Sequence, residues 1–393
     1  MSGTRALWWR VTGLAAAIAL VLGGGSWFAA TRGAAQTAGK DPAGNHAQAS
    51  ASHTHAAIVK PVSVVSISPS AQATGVNGTA PITVTFSEPL AASSPMPTVT
   101  PAVPGSWQRS GPATVEFVPA TGFTQQTQVQ VVVPAGPAGV RSATGGQLAA
   151  QVTSSFATGG YSLMRVDQLL AQLGYLPLNW TPAPGGAAVP SNDASAQLSA
   201  AYDPPAGAFT WQSGYPSQLQ ALWAADAPNE VLTGAVMAFQ SDHSLGMDGT
   251  VGPQVWTALL NAVGTGQNNA HGYTYALASQ ASPETLTVWH NGQVILSTPA
   301  NTGISVAPTS VGTFAVYLRY QNQIMKGTNP DGTPYADPVS WVSYFKSGEA
   351  VHYFPRATYG SPQSLGCVEL PMAQAKFVWP YMTYGTLVTV TAP

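Results

Sequence analysis

Apolar and polar residues change their spacing twice along this chain, and each change announces a new kind of element. From residue 61 to 158 the spacing is two. Ile82-Thr83-Val84-Thr85-Phe86 alternates strictly, and the apolar runs 62–67, 114–118, 129–133 and 152–156 are closed off by Pro, Gly or Asn. Alternation buries one face of an extended strand, and several such strands within about 100 residues predict a β-sandwich. After Gly159-Gly160 the spacing lengthens: Leu163, Val166, Leu169, Leu170 and Leu173 fall on one helical face that Gly174 would terminate. Residues 231–239 and 253–260 predict two more helices, the second with Pro253 in its first turn. Strand spacing returns at 286–290 and 293–297, which flank Asn291-Gly292, a pair suited to the positive φ angles of a two-residue hairpin. Runs at 313–318, 341–345, 351–354 and 387–390, with one helix over 372–379, complete a mostly-β unit. The predicted architecture is therefore multidomain. A β-sandwich spans 61–158, a small α-helical domain spans 161–265 with an insertion at 177–229, and a mostly-β domain spans 272–393. The insertion is rich in Pro, Gly, Trp and Tyr and fits a lid, a carbohydrate-contacting loop or ordinary packing.

The ends of the pattern carry their own message. Arg5 and Arg10 precede an apolar run at 11–22, the layout of an export segment over residues 1–30. Two readings stand, a cleaved signal peptide or an uncleaved anchor crossing the bilayer with residues 11–30. The lack of a small-x-small site directly after the run favours the anchor. Either reading puts the remainder outside the cytoplasmic membrane. Residues 31–60 contain almost no large apolar side chain and predict a disordered linker. Its histidines, His46, His53 and His55, have no cysteine or carboxylate constellation around them, so no metal site is expected there. Charged residues make up 7% of the chain and its formal net charge is −2, which supplies no basic field for nucleic acid.

The chain has one cysteine, Cys367. A lone thiol in an exported protein has no intramolecular disulfide partner, so a chemical role is the reading to test against that of a small buried hydrophobe. A thiol becomes a strong nucleophile only beside a base or a positive charge. His352 lies on a predicted strand shortly before the Gly366-Cys367 turn and is the candidate base, with His290 as a rival read as a sheet residue. Gly366 lets backbone approach a substrate closely, and the amides around it and Cys367 are candidates for an oxyanion site. Ser364 and Leu365 belong to the same turn, Tyr353 follows the histidine with a carbonyl able to fix its tautomer, and Arg356 is a nearby cation.

Three stretches resemble known families. Ser66-Ile67-Ser68-Pro69-Ser70 together with residues 81–89 resembles the bacterial Ig-like domains of cell-surface proteins, and because the block has no convergent polar residues it is read as a spacer. Ala238-Phe239-Gln240, then 245–253, Trp256 and Leu259-Leu260 resemble the three-helix peptidoglycan-binding domain. His352, Gly360, Ser364-x-Gly366-Cys367-Val368-x-Leu370 and 385–390, with 308–314 upstream, resemble the L,D-transpeptidase (YkuD) family over residues 281–393. That resemblance implies Cys367 as nucleophile, His352 as general base and Gly366 at the oxyanion, with Ser364, Tyr353, Leu365 and Arg356 near substrate. It implies no metal and no organic cofactor, peptidoglycan stem peptides and glycan as partners, and carbapenem acylation of Cys367. The implied reaction is a 3→3 cross-link through a cysteinyl thioester; an L,D-carboxypeptidase, or a non-catalytic wall-binding protein, are the alternatives. Leu365 replaces a usual His and Glu369 a usual Arg or Asn. An acid at 369 is expected to repel a substrate carboxylate, with Arg356, Lys326 or Lys346 compensating.

Overall fold

The computed structural model describes residues 59–393. The expected export segment 1–30, nearly all of the linker 31–60 and its three histidines lie outside the described residues. Among the described residues no helix is long and apolar enough to cross a membrane.

The predicted sandwich is present with seven strands. One sheet has the order β1 (Val64–Ser68), β2 (Ile82–Phe86), β5 (Thr114–Pro119), β4 (Gly105–Gly111), and the facing one β3 (Thr98–Thr100), β6 (Gln128–Val133), β7 (Val152–Ala157). Alternation explains the packing. Ile82, Val84 and Phe86 of β2 meet Val129, Val131 and Val133 of β6 in one core, while the intervening residues face outward. Strands β3 and β4 have mostly exposed side chains and no apolar alternation, which is why the sequence pattern passes over them.

The helical region contains α1 (Leu163–Gln172), α2 (Ala194–Tyr202), α3 (Ser217–Gln220), α4 (Glu230–Asp242) and α5 (Pro253–Thr265), with a hairpin of β8 (Leu178–Pro182) and β9 (Gly207–Trp211). Leu173 caps α1 and Gly174 follows at φ +80, the left-handed turn that its glycine permits. Asn229 caps α4 by accepting from the Leu232 N–H, and Pro253 opens α5. Part of the insertion 177–229 packs into the fold: Leu178, Ala201, Tyr215 and Leu219 are buried in the same core as α1, α4 and α5. That core also contains Tyr273, Tyr275 and Leu387 of the last region, so the helices are not closed off as a separate small domain. Gly234 and Gly385 make the contact possible. A Cβ on Gly385 would sit 2.2 Å from the Gly234 carbonyl oxygen, and Gly385 has φ +79. Phe239 and Gln240, which carried the peptidoglycan-binding resemblance, are used internally. Gln240 donates to Asp248 Oδ1 (2.7 Å) and accepts from the Gly249 N–H (2.9 Å), clamping the loop between α4 and α5.

The C-terminal region has two sheets. The first has the order β12 (Gln293–Pro299), β11 (Thr285–His290), β10 (Thr274–Ser279), β18 (Leu387–Thr391), β13 (Gly312–Ala315). The second runs β14 (Leu318–Thr328), β15 (Pro334–Lys346), β16 (Glu349–Tyr353), β17 (Val368–Leu370). Ala276, Leu286, Val288 and Val388 of the first sheet share a core with Phe345, Val351, Val368 and Leu370 of the second, beside α6 (Met372–Val378). Each fully buried Leu or Val there contributes about 1.5–3 kcal/mol. The Asn291-Gly292 hairpin turn forms with both residues at positive φ. The single strand expected over 313–318 is a misreading. The chain leaves the first sheet after Ala315, buries Val316 by backbone hydrogen bonds with Gly385 and Thr386, and enters the second at Leu318.

Candidate active site

Strands β16 and β17 run parallel, with Val351 opposite Val368, His352 opposite Glu369 and Tyr353 opposite Leu370. Side chains alternate along a strand, so His352, Glu369 and Cys367 rise from one face of the sheet. With strands about 4.8 Å apart and a rise of about 3.3 Å per residue, the Cys367 and His352 Cα atoms are separated by about 8 Å, a span their side chains can close. Both line one cavity of about 480 Å3, with the β14–β15 hairpin as its far wall. No residue of the 177–229 insertion lines it. His290, the rival base, lies in the other sheet and bonds to Thr274 and Asn291.

His352 is 2% exposed. Its Nδ1 lies 2.9 Å from the Tyr353 carbonyl oxygen, which can only accept, so Nδ1 carries the proton and Nε2 keeps its lone pair. Burial lowers the imidazole pKa, outweighing the Tyr353 carbonyl and Glu369, which raise it. The ring is therefore neutral and basic at neutral pH. Cys367 is partly exposed to the cavity. Its thiol donates to the Gly348 carbonyl at 3.8 Å and makes no hydrogen bond to the imidazole. Burial pushes its pKa up to about 12; an Ala350 backbone N–H pulls it down, and Glu369 and Glu349 add to the rise. The resting pair is thus neutral thiol and neutral imidazole.

A pH dependence follows. Thiolate is the reactive form, and below the pKa its fraction grows about tenfold per pH unit. Iodoacetamide alkylation of Cys367 is expected to be slow at pH 7 and to keep rising past pH 10. A plateau below pH 8, measured by intact mass, would contradict a neutral resting thiol.

The turn before Cys367 is held from several sides. Gly366 has φ +108, outside the range of ordinary side chains. Its N–H donates to Ser364 Oγ (3.1 Å), and Ser364 Oγ donates to the Cys367 carbonyl (2.6 Å). Ser364, expected at the substrate, is instead 1% exposed and spends its hydroxyl inside the turn. The Gly366 amide, expected at an oxyanion, is likewise engaged; the amide of Cys367 itself is the one left over. The Thr302 carbonyl accepts from the Gln363 and Ser364 amides, and buried Glu284 in turn grips Thr302 through its N–H (2.6 Å) and Oγ1 (2.7 Å). Glu349 holds Ser310 by two bonds, of 3.0 and 2.6 Å, beside the same turn. Glu284, Thr302 and Glu349 went unnoticed in the sequence because nothing local marks them.

Arg356 and Glu369 change the charge picture. Arg356 Nε and Nη2 donate to the two Glu369 carboxylate oxygens at 2.7 and 2.8 Å, Nη2 also donates to the Gln363 carbonyl, and the guanidinium stacks 4.6 Å from the Phe354 ring. The expectation that Glu369 would confront the substrate as a free acid is therefore corrected. A bidentate guanidinium neutralises it, and the pair offsets the cost of burying Glu369. Lys346 stacks over Phe314 instead. Tyr353 packs its ring against the core and contributes its carbonyl rather than its side chain. Leu365 is 36% exposed and lines the cavity. The sequence reading found the end of this wall as a strand at 341–345 and named Lys326 on it, but missed the rest, including Gln323, Met325, Tyr335 and Asp337. Asn329-Pro330-Asp331-Gly332-Thr333 between its strands is a turn signal that could have revealed it. Among the described residues no group of three or more His, Cys, Asp or Glu could hold a metal ion.

Two regions of the chain match known protein families. Residues 273–390 match the L,D-transpeptidase catalytic domain (YkuD), and residues 58–158 match a bacterial Ig-like domain. No curated protein matches the chain. Among solved structures, an L,D-transpeptidase from Mycobacterium smegmatis is 15% identical, with 85% of this chain and 100% of that chain covered and a TM-score of 0.28. L,D-transpeptidase 3 from Mycobacterium tuberculosis is 16% identical, with 84% and 98% covered and a TM-score of 0.28. The catalytic domain of an E. faecium L,D-transpeptidase is 29% identical, with 30% of this chain and 95% of that one covered and a TM-score of 0.28.

Proposed function

We propose that this protein is an extracytoplasmic L,D-transpeptidase that forms 3→3 cross-links in peptidoglycan through a thioester on Cys367. The observation that carries the proposal is the shared cavity of the lone thiol and His352, whose Nε2 is free while Tyr353 fixes its tautomer. In the first step the sulfur turns from the Gly348 carbonyl toward the imidazole and attacks the carbonyl carbon of the third stem residue. His352 Nε2 takes the thiol proton as the C–S bond forms. The C–N bond then breaks and the same proton goes to the departing D-alanine amine. In the second step an amine from a neighbouring stem attacks the thioester carbonyl carbon and gives a proton to His352; the C–S bond breaks as the amide C–N bond forms, and the same proton passes to the sulfur to restore the thiol. The Cys367 amide is the proposed oxyanion donor.

The Arg356–Glu369 pair favours a working enzyme over a decayed wall-binding protein, since it removes the charge conflict that Glu369 would otherwise create. With water in place of the amine the same site would be an L,D-carboxypeptidase. Incubation of the purified protein with isolated sacculi, followed by muropeptide analysis, separates the outcomes. New 3→3 dimers are expected. Tripeptide stems without dimers would identify the carboxypeptidase, and unchanged muropeptides with a folded protein would overturn both. Wall attachment through the helical region, and membrane attachment through residues 1–30, belong to this proposal as its spatial setting.

A further inference from the structure

The loop joining β12 to β13 passes beside the nucleophile turn, and little apolar burial holds it there. Val306 and Val311 are 70% and 57% exposed. Its fixed points are polar. Near its start the Ile304 N–H donates to the Ser364 carbonyl (2.9 Å), and Ile304 lines the cavity. Within the loop the Gly303 N–H donates to Oγ1 of buried Thr309 (2.8 Å). Near its end Ser310 gives both of its donors to Glu349, the N–H to Oε2 at 3.0 Å and the hydroxyl to Oε1 at 2.6 Å. Two donors from one residue, one on each carboxylate oxygen, fix orientation as well as distance.

Glu349 reaches the nucleophile from two directions. It opens β16 directly after Gly348, whose carbonyl accepts the Cys367 thiol. Its side chain also runs along Gly366, where a Cβ would stand 3.4 Å from Glu349 Cγ and 3.8 Å from the Pro308 carbonyl oxygen of the loop. Loop, carboxylate and turn therefore meet at one place. Among the described residues Glu349 forms no ion pair; Lys346, opposite it across the β15–β16 pairing, stacks over Phe314. The charge of Glu349 works against the chemistry, since a carboxylate raises the thiol pKa and repels a developing oxyanion. What it can contribute is placement.

We infer that Glu349 is a positioning residue for acyl transfer: through Ser310 it holds the loop 303–311 against the Gly366-Cys367 turn, so the sulfur keeps its place relative to the donor carbonyl during attack. The inference rests on the acyl-transfer reading above. Attack needs the sulfur about 3–3.5 Å from the carbonyl carbon, and a misplacement of about 1 Å can cost about 10²-fold.

The test follows carbapenem acylation of Cys367 by intact mass over a range of carbapenem concentrations, which separates binding from bond formation. Glu349→Gln keeps the volume but turns an amide NH2 toward one of the Ser310 donors, and Ser310→Ala removes the hydroxyl. Each is expected to slow bond formation about 10- to 100-fold while apparent binding changes by less than about threefold. Because both break the same link, the double variant should be no slower than the slower single one. Ser310→Thr, which keeps the hydroxyl, should recover most of the rate. Iodoacetamide, a small reagent that needs no placement, should alkylate Cys367 in every variant at least as fast as in wild type. Acylation at the wild-type rate in Glu349→Gln, effects that multiply in the double variant, or a matching fall in alkylation would overturn the inference. If wild type takes up no carbapenem, the reading of the reaction fails, and amide hydrogen exchange over residues 363–367 decides the positioning. Faster exchange in both single variants, and no faster in the double, supports it; exchange unchanged from wild type overturns it.

Discussion

Cys367→Ala is expected to abolish acyl-enzyme formation, with turnover falling by at least about 10⁴-fold because no second thiol exists in the chain. A carbapenem incubated with the wild-type protein should add its mass once, and the variant should gain none. The stability cost should be small. The sulfur is partly exposed, and its hydrogen bond to the Gly348 carbonyl, at 3.8 Å, is weak, so thermal unfolding should shift by no more than a few degrees. A folded variant that still takes up the carbapenem would show that another group is the nucleophile, and the proposed mechanism would fall with it.

His352→Gln should slow acylation about 10²–10⁴-fold at pH 7, the usual contribution of a general base. Glutamine suits the test because its amide can still donate to the Tyr353 carbonyl, so the buried acceptor keeps a partner. The pH profile then separates chemistry from structure. With the base gone, only preformed thiolate reacts, and burial keeps the thiol near 12, so the variant's rate should climb steadily with pH and approach wild type only in strong alkali. Wild type should instead lose activity as acid protonates the imidazole. Since burial lowers that pKa, the loss should set in below the ordinary histidine value of about 6.5. A variant within threefold of wild type across this range would mean the thiol is activated by some other group.

Much of this site was legible because strand chemistry is local. Cys367 could be singled out as the sole thiol, Gly366 as a residue suited to a sharp turn, and His352 as an imidazole on a strand just upstream. The Asn291-Gly292 hairpin and the alternating β2 strand formed where the pattern put them, for the same reason. Most of the wall of the cavity was not legible. β14 has polar or small residues at most positions, and β15 gains its burial only in its second half, so neither has the clean alternation that announces a strand. Glu369 shows the limit most clearly. In sequence it is an acid beside a nucleophile; in space it is half of an ion pair with a residue thirteen positions away.

The sequence by itself determined the kinds of element, the single candidate nucleophile and the order in which the chemistry-bearing residues occur, because backbone preference and side-chain alternation act over a few residues. Only the tertiary structure decided which of those residues meet. It joined the helices to the core of the last region, turned Ser364 inward, engaged the Gly366 amide, and brought Asp337 to the cavity. Charge and hydrogen bonding depend on distance in space, and parallel pairing of β16 with β17 sets those distances in a way that spacing along the chain does not encode.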